Sequence, residues 1–414
     1  HQGDGKSTIL AGVENLDTIL HPGESVRSTL NLVLYWQGEL MHGQNVFRRL
    51  VRDHYSPRIE GRLVEPPISG VVWGGIPSKE HLDIIEKIRQ YKIPLDVYWF
   101  DAGWYGTGVV PSRTVFEGDW GIMAGDWRAN PNWHNGTLKP VSDAAHAAGM
   151  KFLVWVEPCR AVQGRPVTLA HPEFFLTGNR DGKARDGQML LLDLGKPDAF
   201  QWAVDVLAGL IEAYGVDWYE EDFNIEPNPY LETAAEPNRW GMNEMRFIEG
   251  HFAFWDALLK RFPRLAILNC ASGGRRIDLE SISRGQPLWR SDYNCFPEAT
   301  AESTQDQSYG ILHWLPIQGS MIRGWSIFDT YEARCALSPG MENAMVATTE
   351  KEWLQIKANV VQAKRCKRYF LGDYYPLVNQ QRNPAGWSAY QLFLPETQEG
   401  MILALRRAKS DIRA

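Results

Sequence analysis

The chain has no uninterrupted apolar run of about 18 residues, so no membrane-spanning helix is predicted. Lysine and arginine never gather into a run or stripe, and 43 basic against 50 acidic residues leave a net charge of -7. A nucleic-acid partner is therefore not expected. Cysteine is scarce: Cys159, Cys270, Cys295, Cys335 and Cys366 are far apart, matching neither a disulfide framework nor a zinc pattern. They read as mostly buried thiols and leave the redox compartment open. The ten histidines are scattered and none forms His-x-x-x-His, so no metal and no cofactor are predicted. No signal-peptide pattern opens the chain at His1, and both ends read as cuts through larger domains, so localisation is not assigned.

Aromatic residues are abundant, with 17 Trp, 15 Tyr and 16 Phe. Flat rings with a polar tip suit a large core, and they also suit pockets for amphipathic ligands such as sugars. Residues 1–66 read as the end of an N-terminal β-sandwich plus a linker helix. The strands expected there are Ser7 to Val13 and Leu30 to Tyr35, and the helix runs from Leu40 to His54. From 67 to 367 the pattern alternates strand and helix. Val71-Val72-Trp73 precedes a helix opened by Ser78 as its cap. Leu95 to Asp101, Lys151 to Pro158, Val216 to Asp222, Leu265 to Cys270 and Leu288 to Asp292 are the next strands. Leu315 to Ser320 and Cys335 to Leu337 are the seventh and eighth candidates. Strands buried on both faces between helices predict an α/β fold, a (β/α)8 TIM-type barrel. Residues 368–414 return to β pattern and read as the start of a C-terminal β domain.

Like Leu95 to Asp101, the strands Val216 to Asp222 and Leu288 to Asp292 end in aspartate, where a parallel barrel places its chemistry, and Asp222 and Asp292 are the candidate pair. Two carboxylates across one pocket are what cleavage of a glycosidic bond requires, although each is also an ordinary capping residue at a strand end.

Six blocks, in order, resemble the melibiase-type α-galactosidases, glycoside hydrolase family 36 with its clan relative family 27. Trp99-Phe100-Asp101-Ala102-Gly103-Trp104 is similar to the family's Asp-Asp-Gly-Trp strand end. Leu153-Val154-Trp155-Val156-Glu157-Pro158 resembles Leu-Trp-Phe-Glu-Pro. Leu192-Asp193-Leu194-Gly195-Lys196-Pro197 resembles a helix entry, and Glu220-Glu221-Asp222-Phe223-Asn224 stands where the family has Lys-Trp-Asp-Met-Asn. Cys270-Ala271-Ser272-Gly273-Gly274-Arg275-Arg276 and Trp289-Arg290-Ser291-Asp292 complete the set.

The resemblance implies a retaining, exo-acting α-glycosidase, α-galactosidase-like, that works by double displacement through a glycosyl-aspartate. Asp222 matches the nucleophile and Asp292 the general acid/base. Asp101 matches a residue that bonds sugar hydroxyls, Trp73 and Trp155 match rings that line the pocket, and Cys270 with Gly273 matches a loop at the 2-position. Arg185 matches an arginine near the nucleophile, and Glu157 is the reserve acid. The bland readings stay open: a cap for Asp101, core packing for the tryptophans, backbone geometry for Gly273. Ala102 replaces the family's second aspartate and Glu220 its lysine. A lysine only donates hydrogen bonds and an ionised glutamate only accepts them, so sugar specificity is open. Glu220 and Glu221 beside Asp222 call for a compensating cation, for which Arg185, Arg276 and Arg290 are the candidates.

The expected partner is an oligosaccharide or glycoconjugate, with a homo-oligomer left open. The alternatives are an α-N-acetylgalactosaminidase, another α-glycosidase or transglycosylase of the clan, and a carbohydrate-binding protein impaired in catalysis. A metal hydrolase lacks a ligand constellation. The insertion between Gly106 and Trp133, rich in tryptophan, is expected to overhang the mouth of the site.

Overall fold

The computed structural model describes residues 8–14, 16–108, 118–324, 326–379 and 385–412. Eight parallel strands close into a barrel: β1 (Ile68–Val72), β2 (Val97–Phe100), β3 (Lys151–Val156), β4 (Trp218–Glu221), β5 (Ala266–Asn269), β6 (Leu288–Trp289), β7 (Gln318–Met321) and β8 (Gly340–Ala344). Each pairs with its sequence neighbour, and β8 closes on β1. A helix follows every strand: α1 (Ser78–Tyr91), α2 (Lys139–Ala147), α3 (Pro197–Tyr214), α4 (Met242–Arg261), α5 (Leu279–Arg284), α6 (Ala301–Leu312), α7 (Thr330–Cys335) and α8 (Glu350–Cys366).

Local sequence explains these boundaries. Pro197 lies in the first turn of α3, where its missing N–H costs nothing, and Gly215 ends the helix at φ 63°. Thr349 and Glu352 form a reciprocal capping box at the start of α8. Ser78 does not cap α1. Pro77 occupies the cap position, and the Ser78 hydroxyl bonds His134 Nδ1 at 2.8 Å instead.

The period of two along the strands decides which side chains face the barrel axis. Val97, Trp99, Leu153, Trp218, Ala266, Leu268 and Trp289 pack together inside it. Ile59 and Val64, on and beside the hairpin Arg58–Ile59/Arg62–Leu63, pack against this cluster at the N-terminal end of the strands. That end is filled by apolar side chains, which leaves the C-terminal end for polar groups.

The eighth strand departs from expectation. Cys335 ends α7, and β8 is Gly340–Ala344, a Gly-Met-Glu-Asn-Ala segment that carries no β-branched residue. The N-terminal strands are also absent: residues 8–13 and Leu30 to Tyr35 form no strand, and Ser7 lies outside the described residues. A two-residue strand, Asp17–Thr18, pairs instead with Arg239–Trp240. The expected helix Leu40–His54 is present, and its buried Arg48 donates to the carbonyls of Phe370 (2.8 Å) and Gly372 (2.9 Å). Those carbonyls lead into a three-stranded antiparallel sheet, Asp373–Pro376, Trp387–Leu394 and Glu399–Arg406, where C-terminal β structure is expected.

Candidate active site

The polar residues at the C-terminal end of the barrel come from strands that are otherwise apolar. In β4, Trp218 and Glu220 face the axis while Tyr219 and Glu221 face α4. Trp155 of β3 is the register partner of Glu220, so ring and carboxyl share the inner face. Asp101, Asp222 and Asp292 follow β2, β4 and β6, and Glu342 lies within β8.

Asp222 is held from two loops. Its Oδ1 accepts from the backbone N–H of Phe223 (2.7 Å), the backbone N–H of Ser272 (2.8 Å) and the Cys270 thiol (3.3 Å). Its Oδ2 accepts from Asn224 Nδ2 at 2.5 Å. The same amide donates to Glu157 Oε2 at 3.2 Å, and Ser272 Oγ closes the ring by donating to Asn224 Oδ1. Four donors fix both oxygens of the carboxylate.

Asp292 has a different environment. Its Oδ1 accepts from Trp289 Nε1 at 2.7 Å. Burial pushes its carboxyl up to about 6 and the charge of Asp222 adds to that rise, against the Trp289 hydrogen bond and Arg275. Gly273 brings the two loops together: at φ 89°, a Cβ there would lie 3.0 Å from Ser291 Cα and 3.1 Å from the backbone nitrogen of Asp292.

Three further carboxyls face the same space. Burial lifts Asp101 to about 7, and Asp222 and Asp292 add to this against the Ala102 N–H, which donates at 2.7 Å. Glu220 is raised by burial and then by Asp101, Glu342, Asp222 and Asp292; Glu342 is raised by burial, Asp101 and Asp292. Glu220 is 4% exposed and Glu342 5% exposed. Glu220 Oε2 and Glu342 Oε1 have no hydrogen-bond partner among the described residues. Glu342 escaped the sequence reading because its strand did.

Rings wall one side. Trp155 stacks on Tyr105 with centroids 5.9 Å apart and meets Trp120 edge-on at 6.0 Å, while Trp73 meets Trp120 edge-on at 5.7 Å. Trp104 is fully buried and donates to the Trp155 carbonyl at 2.9 Å. Within the insertion, Trp127 is buried and Trp120 half-buried, both against Trp155; residues 109–117 lie outside the described set.

The arginines go elsewhere. Arg185 is exposed, and its guanidinium bonds Asp181 (2.8 Å) and the Lys183 carbonyl in its own turn. Arg276 lies on the outer wall of β4, where it donates to Glu221 Oε1 at 2.8 Å and sits over the Phe223 and Trp255 rings. It neutralises Glu221, not Glu220. Arg290 is buried beside Ser308 and Gln318. The arginine brought next to the Asp222 ring is Arg160, whose Nε donates to Glu157 Oε2 at 2.9 Å. Burial and the charge of Asp222 lift Glu157 to about 7 against the pull of Arg160. Among the described residues, no three His, Cys, Asp or Glu side chains converge as a metal-ion site.

The Melibiase family model matches residues 47–301. The chain belongs to the Melibiase family. Among its relatives, an α-galactosidase of Escherichia coli is 27% identical over 250 residues, covering 60% of this chain and 33% of the relative. α-Galactosidase C of Emericella nidulans is 24% identical over 301 residues, covering 70% and 38%. This melibiase-family chain therefore spans about a third of the length of these curated relatives. Its fold is also that of the GH36 α-galactosidase AgaA of Geobacillus stearothermophilus, with a TM-score of 0.75, 18% identity and coverage of 90% of this chain and 52% of that one. AgaA in complex with raffinose gives a TM-score of 0.76 at 18% identity, again covering 90% and 52%.

Proposed function

We propose that this chain carries the catalytic barrel, residues 67–367, of a retaining, exo-acting α-glycosidase of α-galactosidase type, with residues 368–414 opening a C-terminal β domain. Asp222 attacks the anomeric carbon and forms a glycosyl-aspartate. Asp292 first protonates the departing oxygen and then deprotonates the water that releases the sugar. The observation that carries this reading is the contrast between the two aspartates: Asp222 is fixed by four donors, while Asp292 keeps one donor and is lifted to about 6 by burial and by Asp222. A carboxylate fixed by four donors suits the nucleophile, and a carboxyl lifted by burial suits the acid. The family membership and the α-galactosidase names of the relatives support the same reading. Oligosaccharides with a terminal α-linked sugar are the proposed substrates; raffinose is bound by one structural neighbour.

The test compares Asp222→Ala and Asp292→Ala on two α-galactosides, one with a dinitrophenolate leaving group and one with a sugar leaving group. Asp222→Ala is expected to abolish turnover of both. Asp292→Ala is expected to lose ~10²–10⁴-fold on the sugar leaving group, where protonation matters, and less in the first turnover of the activated one. Equal losses in Asp292→Ala would remove it from the acid role.

A further inference from the structure

We propose that the sugar subsite takes an α-linked glycosyl unit bearing a protonated amine, held between Glu220 and Glu342. The inference rests on the glycosidase reading and narrows its substrate class.

Two buried, unpartnered carboxyl oxygens, Glu220 Oε2 and Glu342 Oε1, belong to side chains on the inner face of β4 and β8. A native interior rarely leaves such atoms unmatched, so a ligand is the natural source of the missing donors. Charge balance then narrows the ligand. Asp101, Glu220, Asp222, Asp292 and Glu342 repel one another across the pocket. The basic side chains nearby are engaged elsewhere: Arg160 on Glu157, Arg276 on Glu221, and Arg290 on Ser308 and Gln318. Arg275 is felt by Asp292, but its guanidinium donates to the Ala271 and Phe223 carbonyls.

A retaining mechanism uses one ionised and one protonated carboxyl. With a neutral sugar, Asp101, Glu220 and Glu342 must remain protonated or stand as buried, unpaired charges, which is costly. An ammonium supplies three donors and one positive charge, enough for both orphan oxygens and for one ionised carboxylate between them, while the other excess acids keep their protons. The substitution of Glu220 for the lysine in the resembled motif points the same way: a ligand acceptor has been exchanged for a ligand donor. Ala102, buried and apolar, adds no competing group.

The probes are 4-nitrophenyl α-galactoside and four analogues in which the hydroxyl at carbon 2, 3, 4 or 6 is replaced in turn by an amine, assayed where the amine is protonated. Binding to Asp222→Asn is followed by calorimetry alongside turnover by the wild type. One analogue is expected to exceed the parent by roughly tenfold to a hundredfold in kcat/KM and in affinity, as charged hydrogen bonds do. Glu220→Gln, of nearly the same volume, is expected to erase that ratio; Glu342→Gln serves if the first variant does not fold. Turnover of the parent ahead of every amine would overturn the inference and leave the glycosidase reading intact. An amine that binds through Glu220 without any turnover would uphold the inference and sink the glycosidase reading. Neither binding nor turnover would overturn both.

Discussion

The indole Nε1 of Trp289 donates to Oδ1 of Asp292 at 2.7 Å, three residues along the chain and across the end of β6. This bond lowers the carboxyl while burial and Asp222 raise it. In Trp289→Phe the lowering contribution is gone, so the carboxyl rises. The alkaline limb of the kcat/KM profile is expected to move up by up to ~1 pH unit. A limb that stays in place or moves down would separate the indole from the acid.

In the wild type, the acid must carry its proton in the free enzyme. With Asp292 lifted to about 6, kcat/KM is expected to fall as pH rises through that value. A profile flat from pH ~5 to ~8 would contradict the acid role of Asp292.

Asn224 joins two carboxyls through one amide, at 2.5 Å to Asp222 and 3.2 Å to Glu157. Asn224→Ala frees Asp222 Oδ2 and removes a donor from Glu157. The expected loss is ~10²-fold in kcat, with KM changed far less, because a misaimed nucleophile loses the transition state more than the ground state. A change confined to KM would instead make Asn224 a binding residue.

Gly273 sits at φ 89° with its missing Cβ only 3.0 Å from the Ser291 backbone. Gly273→Ala is expected to cost ~1–3 kcal/mol of stability through strain. It should also slow turnover by moving Asp222 and Asp292 apart, which steady-state assays and thermal unfolding would read together. A variant unchanged in both would mean that the loop gives way freely.

Behind the pocket, burial raises the Glu221 carboxyl, but His251, Arg276 and the Trp255 indole outweigh it and hold the group at about 2. The folded value lies below the ordinary 4.5, so the stability it contributes is present above 4.5 and is lost as pH falls towards 2. That contribution is on the order of 3 kcal/mol. Arg276→Met is expected to destabilise the fold by ~3–5 kcal/mol at neutral pH, because it leaves a buried charge short of a partner. Equal unfolding midpoints for variant and wild type would contradict this network.

The first six barrel strands are legible in the sequence because they are largely buried and carry apolar runs, and from β2 to β6 each run is followed by an acid or asparagine. β8 is not, since Gly340, Asn343 and Ala344 carry no strand preference and Met341 and Glu342 resemble a loop. Losing that strand hid Glu342, the carboxyl that faces the same space as Glu220. Asp222 and Asp292 were visible as strand-end acids. The arginines were not: spacing cannot say whether a residue after β5 turns towards the axis or the outer helices, and Arg276 turns outward to Glu221. Arg185 bonds within its own exposed turn, whereas the arginine that meets the Asp222 network is Arg160, three residues after Glu157. The N-terminal strands failed because the apolar-rich stretch Leu30 to Tyr35 meets no sheet partner among the described residues, and Leu30 and Val33 remain largely exposed.

The most direct test of the account is the anomer released first from an aryl α-galactoside, or from the preferred amine analogue, followed by proton NMR before mutarotation. Attack by Asp222 from the β face, followed by water from the α face that the leaving group has vacated, predicts the α-anomer first, with the β-anomer growing in only at the rate of spontaneous mutarotation. The β-anomer appearing first would mean a single displacement by water, and Asp222 would not be the nucleophile.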